Sequence, residues 1–239
     1  MTVAIIFIGT GQYLSFLPMY YKQAETNLFP GVDKKFFAFT DGEITDDVPE
    51  NIVPIPTEHK DWPRITLERF HIIKQAEEQL KECDYVLFLD ADMYVNEEVA
   101  FDTVFNGKDF VGVWHPCHNL KMQPHDKPPG TFESNPESTA YLENAYDVGI
   151  YWQGCLWGGK TEAVLEMLDV ITARIDEDDS NDIIAVWHDE SHINRFFIEN
   201  QDKVHTFGPE FAFPEVFKDH CNFKPRIVHL AKDNSAYQV

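Results

Sequence analysis

The sequence predicts an α/β protein with a central, mostly parallel sheet flanked by helices. Three observations carry that expectation. Short continuous apolar runs rich in β-favouring residues recur through the first half, as strands buried on both faces require. A stretch of helical periodicity separates two of them. Val3–Ile8 runs into Gly9 and Tyr85–Leu89 into Asp90, residues suited to the turns that follow buried strands.

Val3–Ile8 reads as the first buried strand, and Gly9-Thr10-Gly11-Gln12-Tyr13 as a tight turn into a helix over Tyr13–Ala24. Phe36–Phe39 reads as the second strand, ending at Thr40-Asp41-Gly42, and Ile52–Ile55 as a shorter third. Leu67, Phe70, Ile73 and Ala76 fall roughly on one face of a helix expected over Thr66–Leu80. Tyr85–Leu89 is the next strand and runs straight into Asp90-Ala91-Asp92. Phe110–Trp114 follows as a strand, then a proline-rich stretch from Cys117 to Glu143 that reads as a long loop. Val148–Trp157 reads as another strand, broken by Gly158-Gly159. Thr161 is a candidate N-cap for a helix to about Ile175, with an acidic connector over Asp176–Asp182 and a last helix over Glu190–Glu199. In such sheets ligands collect beyond the carboxyl ends of the strands, where Gly9, Asp41 and Asp90 fall.

At 239 residues with 44% hydrophobic content, the chain suffices for one large core. Its 41 acidic and 19 basic residues give a net charge of −22, a field that repels nucleic acid and anionic membrane. An anionic substrate would need a bound cation or a few well-placed Lys and Arg. The four cysteines form no C-x-x-C pair, so neither a zinc knuckle nor a disulfide framework is indicated, and a reduced, cytoplasmic setting is expected. The N-terminus lacks the basic region and cleavage site of a signal peptide, and no apolar stretch approaches a membrane span. Oligomeric state is left open.

Two clusters carry chemistry. Asp90 and Asp92, alternate residues at a strand end, point the same way and repel each other unless a cation lies between them. Mn²⁺ or Mg²⁺ with substrate phosphates suits such a pair; an acidic turn capping the strand is the plainer alternative. The second cluster is Trp187-His188-Asp189-Glu190-Ser191-His192-Ile193-Asn194. His188 and His192 would share a helical face and could bind a metal, but the zinc-hydrolase pattern H-E-x-x-H needs Glu where Asp189 stands. The alternative is a helix N-terminus at which Asp189 and Glu190 complement the dipole.

The run Trp187–Asn194 closely resembles the W-H-D-E-S-H-L-N signature of glycosyltransferase family 6, which contains the histo-blood-group A and B transferases and the α-1,3-galactosyltransferases. Further resemblances follow in the family's order. Ile8–Tyr13 falls where the family has F-A-x-x-x-Y, and Asp90-Ala91-Asp92 stands for its D-x-D. Trp114-His115-Pro116 looks like its x-H-P, and Glu137–Tyr141 like its S-x-A-Y. Ile150–Gly159 is similar to its F-Y-Y-x-x-x-F-F-G-G block, and Gly208–Phe211 to its S-P-E-Y.

The resemblance implies a GT-A fold forming one catalytic domain over 1–239, with 1–95 mainly the UDP- and metal-binding half and 96–239 mainly the donor-sugar and acceptor half. It implies a retaining, metal-dependent transfer of galactose or N-acetylgalactosamine from a UDP-sugar to a β-galactoside-type oligosaccharide acceptor in α-1,3 linkage. Glu190 would be the catalytic carboxylate. Ile8, Gly9, Thr10, Tyr13, Arg69, Asp90 and Lys232 would bind the nucleotide, and Asp90 and Asp92 the Mn²⁺ or Mg²⁺. Gln153, Gly154, Cys155 and Asp189 would meet the donor sugar, His115 and Trp187 the acceptor. Cysteine at position 155 is bulkier than glycine or alanine, which favours galactose over the 2-acetamido sugar. Other readings are a retaining transferase with another UDP-sugar, a non-catalytic carbohydrate-binding protein and a zinc hydrolase.

Overall fold

The computed structural model describes residues 1–44, 48–116 and 131–232. Cys117 and the first part of the expected loop lie outside the described residues, and Thr131–Glu143 carries neither helix nor strand. The central sheet is built from β1 (Thr2–Ile8), β2 (Asp33–Thr40), β3 (Ile52–Pro56), β4 (Tyr85–Leu89), β6 (Phe110–Trp114), β7 (Trp152–Lys160) and β8 (Val204–Phe207). Their order is β3-β2-β1-β4-β7-β6-β8. β7 runs antiparallel to both its neighbours, and the other pairs are parallel. A second sheet joins β5 (Met93–Val95), β9 (Phe213–Pro214) and β10 (Ile227–His229) in the order β5-β10-β9.

Alternation along β1 divides the core. Val3, Ile5 and Phe7 face α1 (Leu17–Asn27) and the Phe101–Phe105 aromatics. Ala4 and Ile6 face the other layer, made of α2 (Arg64–Leu67), α3 (Arg69–Lys74), α4 (Glu77–Leu80), α6 (Thr161–Ser180) and α7 (Asp189–Glu199). The remaining short helix, α5, spans Phe101–Val104.

Several elements differ from the sequence expectation. The helix after the first turn begins with a 3-10 segment, Gly11–Phe16, and becomes α-helical only at Leu17, because Pro18 has no N–H and fits the first turn. Thr66–Leu80 is not one helix. It is broken at Glu68 and near Ala76, where 3-10 bonds such as Gln75 N–H to Ile72 O tighten the chain. Residues 145–148 form a 3-10 turn, so β7 starts only at Trp152.

Gly158 and Gly159 do not break β7; they let it pass. A Cβ on Gly158 would lie 2.2 Å from the Val86 carbonyl oxygen, and one on Gly159 2.1 Å from that of Asp109. Thr161 does not cap α6, since its hydroxyl donates to Cys83 O at 2.7 Å. The helix also absorbs most of the expected acidic connector. Asp178 is 2% exposed and accepts from Ser138 Oγ at 2.7 Å and from the Thr139 N–H at 2.6 Å, pinning that segment to α6. Cys83 and Cys155 are buried, free thiols. No helix among the described residues is long and apolar enough to cross a membrane.

Candidate active site

The carboxyl ends of β1 and β4 open on a cavity of about 560 Å³. Ile8, Thr10, Tyr13, Arg69, Asp90, Asp92 and Lys232 line it, so most residues expected at a nucleotide site stand together. Gly9 stands behind this wall, its N–H bonded to Phe39 O at 2.9 Å. Asp41 holds the turn by accepting from the Gly11 N–H at 2.9 Å. A loop after β3 brings His59 and Trp62 to the opposite side, with His59 Nδ1 2.9 Å from Thr10 Oγ1.

Asp90 and Asp92 lie between the end of β4 and the start of β5 at Met93. β10 lies antiparallel to β5, with His229 opposite Met93, so backbone pairing carries His229 to the acidic pair. One ligand atom from each of Asp90, Asp92 and His229 lies within 4.8 Å of the others. His229 Nε2 is 3.1 Å from Asp92 Oδ2, and the Lys232 ammonium touches the same oxygen. Burial opposes ionisation of Asp92, but attraction to and hydrogen bonding with His229 and Lys232 hold its carboxyl well below the usual range. Oxygen donors with one imidazole suit a divalent cation such as Mn²⁺.

A second cavity of about 170 Å³ adjoins the first and shares Trp62, Thr66, Arg69, Asp90 and His229 with it. Gln153, Gly154 and Cys155 of β7 line it, with Trp187, His188, Asp189 and Glu190 opposite. Buried Arg69 spans the two. Its Nη1 is 3.1 Å from Asp90 Oδ1 and donates to Gly154 O at 3.0 Å, while its Nε is 3.1 Å from Asp189 Oδ2. It is not a solvated helix charge. Its guanidinium lies over Phe88, the guanidinium carbon 4.7 Å from the ring centre.

The Trp187–Asn194 run is a set of ties between α7 and β7. Asn194 accepts from the Trp152 N–H and donates to Trp152 O, both at 2.8 Å. Ser191 Oγ accepts from the Trp187 N–H at 3.0 Å. Glu190 accepts from the Gly154 N–H at 2.7 Å and from the Tyr151 hydroxyl at 2.8 Å. A Cβ on Gly154 would lie 3.1 Å from Glu190 Cβ, so the missing side chain lets the carboxylate sit against the strand. Burial lifts the Glu190 carboxyl to about 7, against the opposing hydrogen bonds from Gly154 and Tyr151. Burial likewise raises Asp189 to about 7, against the pull of Arg69. Burial pushes the Cys155 thiol well up.

His188 and His192 do not share a helical face. His188 precedes α7 with φ +51° and ψ −123°, a conformation L-residues rarely adopt, whereas His192 is fully buried with Nε2 3.8 Å from Asp178 Oδ2. Burial lowers His192 to about 4, so it is neutral. The zinc-hydrolase reading loses its geometric basis. His115 lines neither cavity; it packs edge-on against Tyr151 with ring centres 5.6 Å apart, behind the hydroxyl that holds Glu190.

Sequence reasoning missed His229 and Tyr151. His229 stands 137 residues from Asp92, and its only local signal was proximity to Lys232. Tyr151 lay inside the aromatic block already noted, two residues from Gln153.

The sequence model of the family described as glycosyltransferase family 6 matches residues 1–238. An O-antigen biosynthesis glycosyltransferase of Escherichia coli, WbnI, is 28% identical over 94% of this chain and 93% of its own length. Histo-blood group ABO system transferase 2 of Rattus norvegicus is 25% identical over 98% of this chain and 71% of its own. Globoside alpha-1,3-N-acetylgalactosaminyltransferase 1 of Gallus gallus is 27% identical over 91% of this chain and 65% of its own.

Proposed function

The chain belongs to glycosyltransferase family 6, and on that premise we propose that it is a retaining, metal-dependent enzyme that uses a UDP-sugar. In this reading it moves galactose or N-acetylgalactosamine to a β-galactoside-type acceptor in α-1,3 linkage. The observation that carries the proposal is the junction of the two cavities at Arg69. One cavity holds an acidic pair fit for a cation, and the other a buried carboxylate pair fit for a sugar.

Residues 1–95 would form most of the nucleotide and metal wall, joined by His229 and Lys232, and the half from 96 on most of the sugar and acceptor wall, with Trp62, Thr66, Arg69 and Asp90 shared. Ile8 and Tyr13 pack against the uracil. Asp90, Asp92 and His229 would hold Mn²⁺ or Mg²⁺, which supplies positive charge to the departing diphosphate. Arg69 places Asp189 toward the donor hydroxyls. Glu190, held by Tyr151 and Gly154, stands under the anomeric carbon as its ionised carboxylate, either attacking it or stabilising an oxocarbenium-like state. Tyr151 fixes which way that carboxylate faces. Trp187 offers an aromatic face to the acceptor, and His115 supports the wall from behind Tyr151.

Cys155 is 4% exposed on the sugar cavity's wall, which favours galactose over the bulkier acetamido sugar. Gln153 Oε1 is buried and has no hydrogen-bond partner among the described residues, so it is free to accept from a donor hydroxyl. The test is UDP release across a panel of UDP-sugars and β-galactosides, with Mn²⁺ and with chelator. Release from UDP-galactose that needs both acceptor and cation is expected. Sugar binding without UDP release would instead describe a lectin, and N-acetylgalactosamine preference would overturn the steric argument at Cys155.

A further inference from the structure

We propose that Glu133 is a positioning residue of the acceptor wall. It holds the turn that presents Trp187, and through that turn it sets how tightly an acceptor sugar binds. The proposal rests on the reading of Trp187 given above and adds to it a residue that lies in none of the sequence motifs.

Three consecutive residues grip the smaller cavity's wall. Thr131 Oγ1 accepts from the Trp187 indole N–H at 2.9 Å. Phe132 is buried and packs edge-on against Tyr151, with ring centres 5.0 Å apart. Glu133 Oε2 accepts from the Val186 N–H at 2.6 Å. Phe132 thus backs the ring whose hydroxyl holds Glu190, whereas Thr131 and Glu133 hold the stretch that leads into Trp187 and His188.

That stretch needs support from outside itself. The successive N–H groups of Val186, Trp187 and His188 are taken by Glu133, by Ser191 Oγ at 3.0 Å and by Ala185 O at 2.9 Å. Ser191 and Ala185 belong to the same local run, but Glu133 arrives from 53 residues away. His188 stands at φ +51°, a conformation that persists only where the surroundings over-determine it. A carboxylate only 8% exposed, anchored elsewhere in the chain, supplies that constraint.

The chemistry requires a carboxylate rather than an amide. Glu133 Oε1 accepts from the Ser134 N–H at 2.8 Å and from the Asn135 N–H at 2.7 Å, which leaves Oε2 for Val186. An ionised carboxylate accepts at both oxygens, whereas glutamine accepts at one and donates from the other end. Glutamine at this position would keep the shape and set a donor against a donor on one side. Hydrogen bonds to a charged acceptor are also the stronger kind. Loosening the turn acts on Trp187 first. Asp189 and Glu190 keep their own ties, Asp189 to Arg69 and Glu190 to Tyr151 and Gly154. Acceptor binding therefore depends on Glu133, and the donor chemistry does not.

The experiment compares wild type with Glu133→Gln and Thr131→Val, using UDP-galactose as donor and lactose as the β-galactoside. It reads Tm, acceptor-free hydrolysis of UDP-galactose and KM for lactose. Glu133→Gln should raise KM for lactose about tenfold or more, the weight of one hydrogen bond to a charged group. Hydrolysis should stay within about twofold of wild type, because the lost interaction is with the acceptor alone. Thr131→Val should raise KM in the same direction, and the two changes together should cost less than their product, as members of one network do. Equal loss of hydrolysis and transfer in Glu133→Gln would make Glu133 a general support of the fold and overturn the inference. An unchanged KM for lactose would overturn it as well, and both outcomes spare the transferase reading. Wild type that releases UDP from no UDP-sugar, with or without lactose, would overturn both.

Discussion

Replacing Glu190 by Gln tests stability and chemistry at once. The carboxyl rises from its ordinary 4.5 to about 7 because it is buried, so the fold favours its protonated form. A carboxyl raised on folding gives a contribution fully present below its unfolded value and lost as pH rises through the folded one. At 1.36 kcal/mol per pKa unit, that loss is about 3 kcal/mol between pH 4.5 and 8. Glutamine has no charge to bury. Its carbonyl can accept from the Gly154 N–H while its amide donates to Tyr151, whose hydroxyl rotates. The variant should therefore gain on wild type as pH rises, by about 6–12 °C in Tm between pH 4.5 and 8 at about 2–4 °C per kcal/mol. Calorimetric melts at both pH values measure this. Transfer at pH 8 should fall about 100-fold or more, the usual cost of removing a preorganised charge from a reacting centre. In wild type, kcat/KM should climb through about pH 7 as Glu190 ionises. A Tm difference independent of pH would refute the buried-charge argument, and near-normal transfer would remove Glu190 from the chemistry.

Tyr151→Phe removes a donor that favours the ionised Glu190, so the rising limb of the pH–rate profile should move upward; an unmoved limb would show that the hydroxyl does not tune the carboxylate. Gly154→Ala places a methyl 3.1 Å from Glu190 Cβ and 3.4 Å from Oε2, which should cost transfer about 10- to 100-fold while leaving Tm nearly unchanged. Transfer at the wild-type rate would mean that the carboxylate tolerates displacement. His188→Gly should raise Tm by a few degrees, because relief of about 1–3 kcal/mol at φ +51° exceeds the roughly 0.5–1 kcal/mol entropic cost of glycine. A fall in Tm would show that His188 contributes more by contact, for instance against Trp62, than it loses by strain.

The parts of this protein legible in its sequence are those whose cause is local. Tyr85–Leu89 followed by two aspartates reads directly as a buried strand ending in an acidic pair, and Asp189 and Glu190 read as a first helical turn. The parts that stayed hidden depend on chain segments far apart. Asp178 looks like one acid in a solvated run until Ser138 and Thr139 arrive from 40 and 39 residues away. His229 is unremarkable until strand pairing sets it beside Asp92. Paired glycines usually end a strand, and Gly158-Gly159 do so in any reading that omits the neighbouring backbone. Arg69 sits on a short helix with charged neighbours, and only the tertiary packing shows its guanidinium to be enclosed between Asp90 and Asp189.

That central ribbon also divides what mutation can reach from what it cannot. At one end two bare positions abut the carbonyl oxygens of Val86 and Asp109 in the flanking backbone, and any branch there would force the layer apart. At the other end, Gln153 and Cys155 line the smaller cavity instead of abutting a neighbouring strand. On the proposed function, selection for a different donor sugar redraws the tip while the rooted end keeps the architecture intact, so a change of specificity need not disturb folding.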